Sequence, residues 1–326
     1  MAAGEETTVA TILIALGANL GDRGETVTQA IDQLAADPHF TLLARSSLLV
    51  TKPVGGPAGQ PDFINAAAKY ETSLTPDQVH QKLIEVEQQH GRVRNLRWGA
   101  RSLDLDLLLY DSEIRREPQL TLPHPRMSFR RFVMQPAAEI AAEMFHPQLQ
   151  TTIGDLWQQL ACSPPVVEIA TPPGPTAWRL CAEVQNRLGQ HVVFTPPAEH
   201  WPESADQLPS LLAHSIRQAA NPWGPPVGYT VSLLPWWSQL PGVLLGTSTP
   251  ETATPALPRL VILWIPAAES VDEIERTWWT PEAREALEQR LREAVQQNVH
   301  GPCLALEGHD MTAAITEVTA AVEAIL

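Results

Sequence analysis

Lysine is scarce in this chain: three in 326 residues, Lys52, Lys69 and Lys82, and none beyond Lys82. The formal net charge is −15, which excludes a general nucleic-acid or anionic-membrane surface, because such surfaces need a basic excess. Any polyanion must therefore meet a local basic cluster. Cysteine is scarce too: Cys162, Cys181 and Cys303 form no C-x-x-C pair, and their odd number gives no disulfide framework, so buried free thiols are expected. No apolar run approaches the roughly 20 residues that span a bilayer, and the opening "MAAGEETTVA" lacks the basic and apolar parts of a signal peptide. These absences predict a cytoplasmic protein with neither nucleic acid nor membrane as partner.

What is present divides in two. The apolar fraction, 44%, is ordinary for a globular protein, and 326 residues are enough for two domains. Eight of the ten tryptophans follow residue 158, all three lysines precede it, and "CSPPVVEIATPPGP" carries two Pro-Pro pairs, which interrupt regular structure by removing amide donors. The expected domains are 1–162 and 163–326. In the first, "TVATILIALGAN" reads as a strand, Glu25 to Asp37 as an amphipathic helix, Thr41 to Val50 and Ile64 to Glu71 as strands, and Pro76 to His90 as a helix capped by Thr75 and stopped at Gly91. With "LDLDLLLY" as a fourth strand, the order β-α-β-β-α-β predicts a ferredoxin-like α+β sandwich.

That fourth strand lies in "RWGARSLDLDLLLYD", Arg97 to Asp111. Strand side chains alternate, so Asp104 and Asp106 share one face while Leu103, Leu105 and Leu107 share the other. Two carboxylates about 7 Å apart either face bulk water at a sheet edge or hold a cation, and Mg²⁺ is usually held by one or two carboxylates plus substrate phosphates. Arg92, Arg94, Arg97 and Arg101 lie just upstream, and His124, Arg126, Arg130 and Arg131 follow. Guanidinium forks suit phosphate, and a carboxylate pair beside them is the equipment for transfer from a nucleoside triphosphate. The first domain has no G-x-x-x-x-G-K-[ST], so the phosphates must be held by side chains rather than by a P-loop.

Four segments, "ALGANLGDR" (Ala15–Arg23), "PVGGPAGQPDFINAA" (Pro53–Ala67), "GRVRNLRWGARSLDLDLLLYD" (Gly91–Asp111) and "LPHPRMSFRRFVMQP" (Leu122–Pro136), together resemble the 6-hydroxymethyl-7,8-dihydropterin pyrophosphokinase family over roughly residues 8–160. The resemblance implies an enzyme of folate biosynthesis that moves a diphosphate from ATP to the hydroxymethyl group of a pterin and releases AMP. It implies that Asp104 and Asp106 bind two Mg²⁺ ions with ATP, and that Arg92, Arg94 and Arg101 are catalytic. Glu87, Arg92, Trp98, Arg101, Leu107, His124 and Arg130 are implied at the nucleotide. Pro53, Gly55, Phe63, Asn65, Trp98 and Phe132 are implied at the pterin, with the two phenylalanines sandwiching the ring and Asn65 bonding its edge; that fits a flat, polar-edged heterocycle. Arg94 and Trp98 fall on the family's mobile loop. Ala100 stands where the family often has proline, and Pro125 where an aromatic can occur.

Beyond residue 163, "VVEIATPPGPTAWRLCAEVQNRLGQHVVF" reads as strand, loop, helix, strand; "RLVILWIP" and "GPCLALE" read as strands, Thr280 to Val299 and Met311 to Ile325 as helices. Alternating strands and helices predict a parallel α/β sheet, and the layout resembles a P-loop deoxynucleoside kinase. Where a P-loop would end in Gly-Lys-Ser/Thr, the chain has "GPTAW". The expectation is a degenerate kinase-like domain, non-catalytic, that docks or forms a homodimer through aromatic surface such as Trp223, Trp236, Trp237, Trp278 and Trp279; an active second kinase and a nucleotide-binding scaffold without chemistry are the alternatives.

Overall fold

The computed structural model describes residues 9–57, 59–91, 100–163, 166–172, 174–188, 192–194, 229–232, 259–278, 280–298 and 301–325. Two compact units divide the chain, Met1–Gln158 and Gln159–Leu326.

In the first unit, β1 (Ala10–Ala18), α1 (Arg23–Ala36), β2 (Phe40–Arg45), β3 (Leu49–Thr51), β4 (Phe63–Thr72), α2 (Pro76–Gln89) and β5 (Asp104–Tyr110) follow one another. The sheet order is β2-β4-β1-β5, with β3 also on β4, and the pairings are antiparallel. This is the α+β sandwich layout expected from the sequence, with one strand more between the two helices than the expected βαββαβ. Alternation along β1 sends Ile12, Ile14, Leu16 and Ala18 into a core with Val27, Ile31 and Leu34 of α1, Val79, Leu83 and Val86 of α2, and Leu103, Leu105 and Leu107 beside β5. Burying such side chains gives about 1.5–3 kcal/mol each, which fixes the register of each strand, because a one-residue slip would turn every leucine outward.

Helix boundaries follow local chemistry. Asp22 accepts the Glu25 N–H at the start of α1. Thr75 and Gln78 form a reciprocal capping box on α2 with Pro76 in its first turn, and Gly91 ends the segment at φ +76°, in the left-handed region that glycine enters without a Cβ penalty. The single strand expected over Thr41–Val50 is instead two. Ser46 explains the break: its Oγ accepts the Ala67 N–H at 2.9 Å while its own N–H donates to Ala67 O at 3.0 Å, so a side chain takes a ladder position and the strand restarts at Leu49.

The opposite sheet face carries Leu13, Ala15 and Gly17 of β1. It meets α3 (Arg131–Ala141), and Lys69, on that face of β4, pairs with Glu143 at 2.6 Å just beyond the helix. Short strands β6 (Arg115–Arg116) with β7 (Thr121–Leu122), and β8 (Phe145–His146) with β9 (Thr151–Thr152), make two small hairpins before α4 (Ile153–Cys162).

The second unit holds a parallel sheet ordered β11-β12-β10-β13-β14, with β10 at Val166–Ala170, β11 at Val192–Phe194, β12 at Tyr229–Ser232, β13 at Leu260–Pro266 and β14 at Cys303–His309. The strand at Tyr229–Ser232 is not apparent in the sequence pattern; the others agree with it. Helix α5 (Pro175–Leu188) leaves β10, and helices Pro281–Asn298 and Met311–Ile325 flank β14 in sequence. Every residue of β13 is buried, as expected for a parallel strand covered on both faces. Cys181 is buried and Cys303 partly so, while Cys162, at the end of α4, is exposed, contrary to the expectation for all three. Burial pushes the Cys303 thiol up to about 12 and raises Cys181 as well, so neither is a thiolate at neutral pH.

Candidate active site

The register places the expected residues on one sheet face. Gly17 pairs with Asn65 on β4 and with Asp104 on β5. One row deeper, Ala15 pairs with Ala67 and with Asp106. Directly paired residues project to the same side, so Asn65, Asp104 and Asp106 border a floor made of Gly17, Ala15 and Ala67. With strands about 4.8 Å apart, Asn65 and Asp104 stand roughly 10 Å from each other. A Cβ on Gly17 would lie 3.0 Å from Asn65 Oδ1 and 3.9 Å from the Phe63 ring; glycine keeps this floor low between the amide and the carboxylates. Asn65 Nδ2 donates to Thr51 Oγ1 at 2.8 Å, which fixes the amide's orientation and leaves Oδ1 toward Gly17.

The charged side is assembled from three segments. Arg101 pairs with Asp104, both about one-fifth exposed. Asp106 faces His124 Nε2 at 3.9 Å. Arg130, at the N-terminal cap position of α3, is close enough to Asp106 and Asp104 for both to favour its charge, while burial lowers its pKa; it remains a cation at any physiological pH. Its guanidinium lies 5.6 Å from the centroid of the Phe132 ring, within cation–π range. His124 Nδ1 accepts the Arg126 N–H at 3.3 Å, so the neutral ring carries its proton on Nε2, toward Asp106. Burial, opposed by Asp106 and helped by Arg130 and Arg126, holds the His124 pKa down at about 4. At neutral pH it is an uncharged N–H donor.

The family model of 7,8-dihydro-6-hydroxymethylpterin-pyrophosphokinase (HPPK) matches residues 13–142. The 2-amino-4-hydroxy-6-hydroxymethyldihydropteridine pyrophosphokinase of Haemophilus influenzae is 42% identical over 151 residues, 46% of this chain and 93% of that protein. The chain belongs to this pyrophosphokinase family. The Pseudomonas aeruginosa protein of the same name is 40% identical over 136 residues, 42% of this chain and 83% of its own. A solved Plasmodium falciparum HPPK-DHPS chain is also similar, at 11% identity and a TM-score of 0.35, covering 67% of this chain and 62% of that one; a likeness of that size carries no argument.

Within the pyrophosphokinase unit the remaining expected residues fall differently. Arg92, Arg94 and Trp98 lie outside the described residues. Pro53 and Gly55 are partly buried in the connection from β3 to β4, which runs on to Phe63. Glu87, 3% exposed, accepts the Leu105 N–H at 2.8 Å, so this carboxylate fastens α2 to β5 between the two aspartates. The Leu107 side chain is 3% exposed and packs in the hydrophobic core, because alternation sends it away from Asp106, so its main chain is what it offers to a pocket. Ala100 and Pro125 are exposed. Gly17, Thr51 and Asn19 were not singled out from the sequence; the signal for two of them was the small, polar "GAN" closing an otherwise apolar strand.

In the second unit, the strand order reverses direction between β10 and β13, the place where open α/β sheets form a crevice. There α5 begins, and the side chain of Glu275, 0% exposed, accepts the Thr176 N–H at 3.1 Å. A Cβ on Gly174 would collide with the Glu275 carboxylate. Arg284 Nη1 donates to Glu275 at 3.2 Å, and Thr176 Oγ1 accepts the Asp272 N–H at 2.9 Å. The start of α5 is thus filled by a carboxylate of the chain itself. Trp223, Trp236, Trp237 and Trp279 lie outside the described residues, as does the side chain of Trp278. Among the described residues, no helix is long and apolar enough to cross a membrane, and no group of three or more His, Cys, Asp or Glu side chains is placed to hold a metal ion.

Proposed function

We propose that the first unit transfers a diphosphate from ATP to the hydroxymethyl group of 6-hydroxymethyl-7,8-dihydropterin and releases AMP, as a cytoplasmic step of folate biosynthesis. The observation that carries this is the shared face: Asp104 and Asp106 on one side of Gly17 and Asn65 on the other, so that a triphosphate and a flat heterocycle meet over one floor.

Asp104 and Asp106 are two partly exposed carboxylates on one strand face, a donor set that suits a hard divalent cation completed by phosphate oxygens. They would hold magnesium, two ions in this reading; when bound, magnesium neutralises charge on the triphosphate. Arg101 and Arg130 add fixed positive charge beside these carboxylates, and His124 offers a neutral N–H at Asp106. Asn65 orients the pterin edge, with Phe63 and Phe132 against its faces and Pro53 and Gly55 on the adjoining loop. Arg92, Arg94 and Trp98 belong to the same reading through the motif they match. The hydroxymethyl oxygen forms a bond to the β-phosphorus as the bond to the α,β-bridging oxygen breaks, AMP keeps that oxygen, and the hydroxyl proton is released. Positioning and charge neutralisation supply most of the rate in such a loose transition state.

The second unit, taken from residue 163, is read as a degenerate kinase-like domain without catalysis that makes contacts with a second copy. Supporting the loss of chemistry are the absence of lysine after Lys82 and the Glu275 carboxylate over Gly174, where a phosphate would otherwise approach the helix start. Supporting a contact surface is Trp178, 43% exposed, since aromatics are enriched at interfaces.

Incubation of the whole chain with ATP, Mg²⁺ and the hydroxymethyl-dihydropterin, with the nucleotide product identified, tests the first reading: AMP supports it, and ADP or no product contradicts it. Deoxynucleosides in the same assay test the second unit.

A further inference from the structure

Buried polar side-chain atoms nearly always find a hydrogen-bond partner, and each that does not costs stability. Among the described residues four lack one: Ser102 Oγ, Thr171 Oγ1, Trp264 Nε1 and Arg284 Nη2. Two of the four come together in the second unit. β10 runs parallel to β13 with Ile169 level with Ile262 and Ala170 with Leu263. The next residue, Thr171, thus comes level with Trp264, and both side chains leave the sheet on the face that carries Ile169 and Ile262. Thr171 is 2% exposed and Trp264 0%. The opposite face is accounted for: Ala170, Leu263 and Ile265 pack with Leu291 and Val295 of the helix Pro281–Asn298. Thr171 and Trp264 therefore look toward the layer made by α5 and the helix Met311–Ile325, which pack on each other, the second also on β13 and β14. The buried side of that layer is mostly apolar and small, with Ala177 and Cys181 on α5 and Ala314, Val318 and Ala321 on the last helix.

An indole N–H and a hydroxyl on neighbouring strands could bond each other, since the hydroxyl accepts as well as donates. They do not. Two groups that could satisfy one another and stay apart are set to be joined through a third. The surroundings match a small-molecule site, in which apolar walls carry a few placed polar groups. The position, at the carboxyl end of β10 where the strand order reverses, is where open α/β sheets take ligands. Neither group is charged, and burying an ion without a counter-charge is costly; Glu317, 3% exposed on the last helix, disfavours an anion further. The partner must be uncharged, accept from the indole and share a hydrogen bond with the hydroxyl. An amide does both.

We propose that the second unit binds a small uncharged molecule bearing an amide, between β10–β13 and the layer of α5 and the last helix. Trp264 Nε1 donates to its carbonyl oxygen, and Thr171 Oγ1 accepts from its N–H. The proposal concerns the second unit alone and is independent of the pyrophosphokinase reading.

The test uses the full-length chain labelled with fluorotryptophan and followed by fluorine NMR, with the Trp264 resonance assigned through Trp264→Phe, or through Trp264→Tyr should the first variant not fold. Acetamide and pyrrolidinone are the probes. Either should move the Trp264 resonance saturably with a Kd in the millimolar range, and Thr171→Val should raise that Kd about 10-fold, the effect of one lost hydrogen bond. Acetate and phosphate at the same concentrations should leave the resonance in place. A second readout needs no ligand. Thr171→Val replaces an unpaired buried hydroxyl by a methyl group, so the melting midpoint of the second unit should rise by about 2 °C or more. A hydroxyl that served the fold, or that a trapped water satisfied, would lower it instead. A resonance that neither amide moves, one moved only by the anions, or a lowered midpoint in Thr171→Val would overturn the proposal.

Discussion

Gly17, the last residue but one of β1, and Gly174, immediately before α5, can be compared because each leaves out a side chain next to a carboxylate or an amide. Over Gly17 the bordering groups belong to the neighbouring strands, Asn65 and Asp104, and they stand apart around a floor. Over Gly174 the carboxylate of Glu275 comes down onto the backbone, takes the Thr176 N–H and is itself held by Arg284. The first arrangement keeps polar groups at the edges, each held by a neighbour of its own, Thr51 for Asn65 and Arg101 for Asp104. The second satisfies the helix start from within, as a helix N-terminus favours any anion and does not require an external one. Polar groups beside a glycine are therefore insufficient to mark a site; what differs is whether they close over it, as Glu275 does over Gly174, or stand on either side of it, as Asn65 and Asp104 do at Gly17.

The largest effect should come from the open side. Asp104→Ala or Asp106→Ala is expected to lower AMP formation at least about 10³-fold, the order found when charge stabilisation is removed from a transition state, with smaller loss of ATP binding; full activity in either variant would sink the metal assignment. On the filled side, Glu275→Ala removes the acceptor of the buried Thr176 N–H and one of the two carboxylates on Arg284, which keeps Glu288; it should destabilise the second unit by about 1–3 kcal/mol, read by denaturant unfolding, with AMP formation unchanged in the native protein. Glu275→Gln, which keeps an acceptor for the Thr176 N–H, should lose less.

Acid sharpens the contrast from another direction. His146 is 4% exposed, its Nδ1 accepts the Leu149 N–H at 3.1 Å, and burial holds its pKa down at about 4. An unfolded histidine takes its proton near pH 6.5, so between about 6.5 and 4 the unfolded chain binds more protons than the folded one. The share of the first unit's stability that His146 carries should be lost as pH drops through that window, up to about 3 kcal/mol at 1.4 kcal/mol per unit; His146→Gln should lower the slope by that share when unfolding is followed against pH, with His124 supplying the slope that remains. The smallest effect tests the floor itself. Gly17→Ala puts a methyl 3.0 Å from Asn65 Oδ1 and should raise the pterin KM about 10-fold, near 1.4 kcal/mol, while melting temperature barely moves; an unchanged KM would show that the floor has room to spare.

Much of this was legible in the residues. Alternation in "LDLDLLLY" separates Asp104 and Asp106 from the leucines, and the strand follows it. Thr75, Pro76 and Gly91 mark the ends of α2 because capping is a local hydrogen-bonding matter. Ser46 was not legible as a strand break, since its partner Ala67 is 21 residues away. Alternation alone places the Leu107 side chain in the core.

The sequence by itself determined the α+β class of the first unit, the common face of the aspartate pair and the motifs that carry the family, because each is written in short-range periodicity and capping. The tertiary structure decided which groups meet. Strand register set Asn65 and Asp104 on either side of Gly17, Asn19 joined segments about forty and eighty residues away, and Glu275 reached back 99 residues to the start of α5. Those pairings depend on how strands and helices pack, and no local pattern encodes them.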